Sequence, residues 1–211
     1  METVTDWILS AGSAALMIVV TSSWLTSIRA RKSEQSVSSD WFALPAWAQI
    51  ALGIAAIAAF IWLGFLFWIP LPLSLSDAIT ATLRVIGLTI YLAGLFLTLW
   101  ARWALGRMYG VSTGSSAPLQ AGHQLIQRGP YAIIRHPMYL GYWLVMLGVL
   151  LTYRTWTSLA LLAMTVPSFR RRAGREESAL AASFGKEWQA YATRVPMFIP
   201  NWKIKSRKNN P

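Results

Sequence analysis

The sequence has no cysteine, which excludes disulfides, thiolate nucleophiles and cysteine metal sites. It has two histidines, His123 and His136, too few for a histidine-rich metal centre, so no metal is expected. Acids are scarce: eight Asp and Glu stand against 19 Lys and Arg, a formal net charge of +11. No two of the 14 glycines stand two positions apart, so the G-x-G-x-x-G nucleotide fingerprint occurs nowhere in the chain. A P-loop is absent as well. A soluble Rossmann-type methyltransferase or dehydrogenase is thereby excluded. Charged residues make up only 13% of the chain, against about 25% in a typical soluble domain.

What is abundant is apolar sequence, 55% of 211 residues, and it comes in long runs. Run one covers about Trp7 to Ile28, long enough for the roughly 20 residues that a bilayer crossing needs. Run two covers about Trp47 to Ile69, before Pro70 and Pro72. Run three covers about Ala78 to Ala101. After a long connection, Arg102 to Pro137, two shorter runs follow: Met138 to Thr152 and Trp156 to Phe169. The turn Tyr153-Arg154-Thr155 joins these two as a hairpin. Both are short for a full crossing. Either helix four starts inside the preceding loop, or the hairpin is buried in the bundle without fully crossing. Met1 to Asp6 carries two acids and no base, unlike the positively charged start of a signal peptide, so run one is expected to persist as a helix.

The basic residues sit in the gaps between runs. The gaps after runs one, three and five hold nearly all of them, and the opposite side holds Arg84 and Arg154. The positive-inside rule then puts the N-terminus outside and the C-terminus in the cytoplasm. Trp41, Trp47, Trp68, Trp103 and Trp156 fall near the expected interfaces, and tryptophans within the runs read as packing. This distribution disfavours nucleic acid as the partner of the basic charge and favours membrane lipids. The fold class expected is an all-α integral membrane protein of about five transmembrane helices with a cytoplasmic C-terminal amphipathic helix. Residues 1–76 hold two N-terminal spans. Residues 77–200 hold three spans, the cytoplasmic loop and the C-terminal helix, and 201–211 form a basic tail. The compactness of the chain points to a bacterial inner membrane rather than the endoplasmic reticulum.

Two constellations could carry chemistry. The first is Arg135-His136-Pro137 at the opening of run four. Proline is tolerated in a first helical turn, His136 stands at the cap position, and the free N–H groups there favour an anion. Arg135 adds a fixed charge and a planar donor fork suited to a carboxylate. The alternative gives Arg135 to lipid phosphate and leaves His136 as a plain cap. The second is Arg175-Glu176-Glu177 on a helix expected over Arg172 to Tyr191. At about 100° per residue, Leu180, Phe184, Trp188 and Tyr191 form an apolar stripe with Glu177 in its middle and Glu176 near its edge. An acid there requires a cation or hydrogen bonds. The candidates are Arg135, Arg128 or a bound cationic ligand, and a purely structural ion pair is the alternative.

The motif Gly122-His123-x-Leu125-x-x-x-Gly129-Pro130-Tyr131, followed by Arg135-His136-Pro137-x-Tyr139-x-Gly141, resembles the isoprenylcysteine carboxyl methyltransferase family. So do Glu176-Glu177-x-x-Leu180-x-x-x-Phe184-Gly185, Tyr191-x-x-Arg194-Val195-Pro196-x-x-x-Pro200 and the upstream Arg102-Trp103-Ala104-Leu105-Gly106-Arg107. The resemblance covers about residues 100 to 200 and belongs to a superfamily that also includes phospholipid and thiol methyltransferases. It implies an S-adenosylmethionine site lined by Gly129, Pro130, Tyr131, His136, Pro137, Tyr139, Leu140 and Gly141. Glu176 and Glu177 would lie near the amino-acid portion of the cofactor or the reacting centre. The reaction implied is methyl transfer to a lipophilic acceptor at the cytoplasmic membrane face. For an amine or thiol acceptor, Glu177 or His136 would take the proton. For a carboxylate acceptor, Arg194 or Arg135 would hold the anion. Two other readings stand beside this one: a membrane reductase related to sterol reductases, and a non-catalytic lipid-binding module.

Overall fold

In a computed structural model, the described residues are 2–31, 45–106 and 124–200. They form an all-α fold of helices α1 (Glu2–Arg31), α2 (Ala46–Leu66), α3 (Asp77–Leu105), α4 (Pro137–Tyr153), α5 (Trp156–Phe184) and α6 (Lys186–Arg194), with a short 3-10 turn at Gly129–Ala132. Gly122, His123, Arg107, Trp41 and the 201–211 tail lie outside the described residues.

Local chemistry explains most helix ends. Ser76 caps α3 by accepting the Ile79 N–H, and Asp77 sits in the first turn, where a negative charge complements the helix dipole. Helix α2 ends at Leu66, ahead of Pro70. Helix α4 opens on Pro137 and does not extend back into the loop, which answers one alternative left open by run four. The expected separation of run five from a cytoplasmic helix at Arg172–Tyr191 needs correction. Helix α5 runs unbroken from Trp156 through Phe184, because the basic stretch after Phe169 contains no proline and its single glycine, Gly174, keeps helical geometry. The interruption comes instead at Gly185, whose φ of 48° is one that L side chains rarely adopt, and α6 restarts from there.

By length and composition, one described helix, Asp77–Leu105, is long and apolar enough to cross a membrane. Shorter apolar helices are Val4–Val19, Ile50–Leu66 and Pro137–Tyr153. Helices α3 and α4 pack antiparallel along a glycine seam. A Cβ on Gly94 would lie 2.7 Å from the Gly141 carbonyl oxygen, and one on Gly148 would lie 2.6 Å from that of Gly87. The missing side chains therefore let the two backbones touch, as small residues do between helices in lipid. Thr98 and Thr152, both buried in the seam, return their hydroxyls to the carbonyls of Gly94 and Gly148. Neither leaves an unmet polar group.

Helix α1 docks through Tyr91, which is 0% exposed and donates from its hydroxyl to the Leu9 carbonyl at 2.9 Å. Across the far end of the bundle, Tyr153 donates to Asp6 at 2.7 Å. Helix α2 presents apolar side chains outward, Phe65 at 82% exposure among them. Its C-terminal end is tied to the α4–α5 turn. Leu71 N–H donates to the Arg154 carbonyl at 2.7 Å, and Trp156 N–H to that of Ile69 at 3.0 Å. Arg154, in the left-handed region at φ 52°, caps α4 through the carbonyls of Leu151 and Thr152.

Candidate functional site

The site forms where the start of α4, the middle of α5 and the segment after α6 meet. The 3-10 turn begins at Gly129 (φ 60°), and the N–H groups of Ile133 and Ile134 both donate to the Pro130 carbonyl. The chain then runs extended beside the C-terminal segment: Arg135 N–H donates to the Pro196 carbonyl at 2.9 Å and His136 N–H to that of Met197 at 3.1 Å. Two backbone hydrogen bonds thus fix Arg135 and His136 before their side chains are considered.

His136 occupies the N-cap position of α4, but its side chain makes no capping bond. The buried imidazole instead turns to α5. Its Nε2 is 3.1 Å from Glu177 Oε1, and its Nδ1 is 3.7 Å from Glu176 Oε2, beyond hydrogen-bond reach. Arg135 donates from Nε to Glu177 Oε1 at 2.8 Å and from Nη1 to the carbonyls of Ala192 (2.8 Å) and Val195 (2.7 Å). Its guanidinium lies 5.7 Å from the Trp188 ring centroid, within cation–π range. Glu176 accepts from the Tyr139 hydroxyl and, at 3.3 Å, from Nε of Arg172 one helical turn before it. Two carboxylates, two guanidiniums, an imidazole and a phenol thus share one cluster.

Burial pushes the Glu177 carboxyl up, but hydrogen bonds from His136 and Arg135 and their nearby charge outweigh it and hold the group below the usual carboxylate range. Glu177 is therefore ionised near neutral pH and, being so stabilised, is a weak proton acceptor. Burial pushes the Tyr191 phenol up to about 12, so it stays protonated and donates to the Tyr131 carbonyl at 2.7 Å. This bond ties α6 to the 3-10 turn. Ala173, fully buried, lies four residues before Glu177 on the inward face of α5. Leu180 and Phe184 continue that face and pack with Trp188, Tyr191, Val195 and Leu125, so the apolar stripe survives the break at Gly185.

The expected site residues divide. Arg135, His136, Tyr139, Glu176 and Glu177 meet directly, and among the sequence candidates for the cation beside Glu177 it is Arg135, with Arg128 exposed. Pro130 and Tyr131 are buried supports, Tyr131 packing with Ala101, Ala104 and Met138. Gly129 approaches Trp100 and Ala104 of α3, and Pro137 is fully buried as the first residue of α4. Leu140 follows one turn on, its N–H on the His136 carbonyl. Gly141 faces Gly94 and Thr98 in the α3–α4 seam, so helix packing accounts for a glycine there. Arg194 points elsewhere: it donates to the Ala190 carbonyl and to Gln127, which in turn donates to Glu187.

The sequence reading gave no site role to Arg172, Trp143, Phe169 or Phe198. The i, i+4 spacing of Arg172 and Glu176 was a visible signal. The rings were visible only as apolar residues of a run or tail, yet they pack beside the cluster. Phe169 stacks on Tyr139 at 5.1 Å, and Phe198 lies 5.6 Å from His136 and 4.8 Å from Trp143.

A family model described as phospholipid methyltransferase matches residues 82–187, half of the chain. A protein-S-isoprenylcysteine O-methyltransferase of Schizosaccharomyces pombe is 29% identical over 126 residues, 52% of this chain and 53% of the relative. Protein-S-isoprenylcysteine O-methyltransferase B of Arabidopsis thaliana is 35% identical over 80 residues, 37% of this chain and 40% of the relative. The alignments thus span about half or less of these curated relatives. Among solved structures, a eukaryotic intramembrane Ras methyltransferase (isoprenylcysteine carboxyl methyltransferase) shares the fold with a TM-score of 0.51 at 24% identity, covering 79% of this chain and 57% of that one. The matched region runs from α3 through α5 and contains the Arg135–His136 and Glu176–Glu177 pairs: the chain belongs to the phospholipid methyltransferase family.

Proposed function

We propose that this protein transfers a methyl group from S-adenosylmethionine to a lipophilic acceptor at the cytoplasmic face of a membrane. The observation that carries the proposal is the approach of both carboxylates, Glu176 and Glu177, to the single imidazole of His136, with Arg135 and Arg172 on either side. Such a donor set suits a small zwitterion that is also a sulfonium: guanidiniums for its carboxylate, carboxylates for its ammonium and sulfonium. When bound, the cofactor supplies a methyl group already activated for in-line displacement, so no covalent enzyme intermediate is needed.

The chain's own residues then bind, orient and balance charge. Glu176 and Glu177 offset the positive charge of the cofactor, each held by Tyr139 and Arg172 or by Arg135 and His136. Arg135 reads the carboxylate, since its fork is fixed by two carbonyls and Glu177. For an amine or thiol acceptor, His136 takes the proton, because Glu177 is held too acidic for that work. For a carboxylate acceptor no proton moves. Gly129, Pro130, Tyr131, Pro137, Leu140 and Gly141 shape the loop and helix start that carry these groups.

In this reading α1 to α4 and the first half of α5, to about Phe169, insert in the bilayer, with the N-terminus outside and the rest of α5 and α6 in the cytoplasm. Residues 1–76 anchor the catalytic region of 77–200. The outward apolar surface of α2 and the exposure of the basic residues Arg170, Arg171, Arg175 and Lys186 support it. The relatives' names support S-prenylated cysteine as one acceptor class, and the family model supports a phospholipid as another.

The test is calorimetric titration of S-adenosylmethionine and S-adenosylhomocysteine into the protein in lipid nanodiscs. Micromolar affinity, reduced tenfold or more by Glu177→Ala, is expected. A folded wild-type sample that binds neither would overturn the cofactor reading. Affinity for a reduced nicotinamide instead would transfer the site to the reductase class.

A further inference from the structure

Trp143 stands four residues after Tyr139 on the same face of α4, about 6 Å further along the helix axis and away from the charged cluster. Phe169 of α5 stacks on both rings, at 5.1 Å from Tyr139 and 6.4 Å from Trp143. Phe198, after α6, bridges His136 at 5.6 Å and Trp143 at 4.8 Å. A continuous aromatic wall therefore leads from His136 into the apolar part of the α4–α5 hairpin.

At the deep end of that wall the indole Nε1 of Trp143 is buried and has no hydrogen-bond partner, the one such side-chain polar atom among the described residues. An indole nitrogen is a donor only, and buried donors in folded proteins are nearly always matched. No charged side chain of the described residues is bonded to it or stacked against it. The charged portions of the cofactor have their partners at Arg135, Arg172, Glu176 and Glu177. An acceptor oxygen that meets Trp143 therefore belongs to a molecule with an apolar body.

We infer that Trp143, with Phe169 and Phe198, forms the subsite for the methyl acceptor. The rings take its hydrocarbon portion, and the indole N–H donates to an oxygen at the junction of that portion with the head group, a carboxylate or an ester carbonyl. The inference rests on the methyltransferase reading for the identity of the ligand, but not for the subsite itself. The subsite selects lipophilic molecules that carry such an oxygen over hydrocarbons that carry only a thiol.

The test compares wild type with Trp143→Phe, which keeps a ring and deletes the donor. Both are reconstituted in phosphatidylcholine nanodiscs and titrated with an S-farnesylated cysteine and, separately, with a short-chain phosphatidylethanolamine, with and without saturating S-adenosylhomocysteine. Wild type is expected to bind at least one probe, and which one it binds decides between carboxylate and ester oxygen. Trp143→Phe is expected to weaken that binding tenfold or more, to keep S-adenosylhomocysteine affinity within twofold, and to unfold thermally no earlier than wild type. The inference is overturned by equal probe affinity in the variant, by a wild type that binds neither probe, or by a variant that loses S-adenosylhomocysteine affinity instead. Failure of wild type to bind S-adenosylhomocysteine while probe binding still depends on Trp143 would sink the methyltransferase reading and leave the subsite standing.

Discussion

Arg135 and Glu177, 42 residues apart in sequence, meet at 2.8 Å, and the same guanidinium holds the carbonyls of Ala192 and Val195. One side chain thus joins the loop before α4, the inward face of α5 and the end of α6. Lysine offers one point charge where arginine offers a planar fork. Arg135→Lys is expected to weaken S-adenosylhomocysteine binding tenfold or more and to lower the thermal midpoint. Arg194→Gln, which loses bonds only to Ala190 and Gln127, is expected to keep that affinity within twofold. Calorimetry on the two variants side by side checks this, and equal losses would count against Arg135 as the ligand-reading cation.

The Glu177 pairing carries a definite pH signature. Its carboxyl is held below the ordinary 4.5 in the folded state, so the unfolded chain binds the proton more readily. Stability from this group is fully present above about pH 4.5 and is lost as pH falls through the lower folded value. Wild type should therefore lose thermal stability on acidification from pH 6 towards pH 3 more steeply than Glu177→Gln. Parallel pH–Tm curves for the two proteins would refute the pairing.

The glycine seam predicts opposite outcomes for two alanine substitutions. Gly148→Ala puts a methyl 2.6 Å from the Gly87 carbonyl oxygen and from the Tyr91 backbone nitrogen, and helix backbones cannot yield as a flexible side chain can. A loss of about 1–3 kcal/mol is expected from such overpacking. Gly174→Ala on α5 meets nothing within 4 Å and is expected to gain about 0.4–1 kcal/mol from a stiffer unfolded chain. Thermal unfolding in one detergent reads both.

Tyr191 tests the link between α6 and the 3-10 turn. Tyr191→Phe removes the donor and leaves the Tyr131 carbonyl without it, a loss of about 1–3 kcal/mol for a buried group. Cofactor affinity should fall less than in Arg135→Lys, since the Tyr191 hydroxyl hydrogen-bonds to Tyr131 and not to Glu176 or Glu177. A fall as large as that of Arg135→Lys would mean that the 3-10 turn itself meets the ligand.

Topology can be checked with unusual ease because the native chain is free of cysteine. Thr5→Cys and Ser183→Cys are expected to react with an impermeant maleimide from opposite sides of sealed cells, Thr5 from outside. Labelling of both from one side would overturn the proposed orientation.

What the sequence by itself determined is local. Apolar runs located α1 to α4 and the first half of α5, Pro137 marked the opening of run four, and helical periodicity put Glu177 on an apolar face that demanded a cation. Spaced motifs named the superfamily. Tertiary structure decided what periodicity cannot carry, because a face records that it is buried but not against what. It chose Arg135 and His136 as the partners of Glu177, and it turned Gly141 towards Gly94 in the helix seam. It sent Arg194 to Gln127 and merged run five with the basic stretch into one helix. It also gathered Phe169, Phe198 and Trp143, three rings with no common sequence pattern, because α5 and the C-terminal segment fold back on one face of α4.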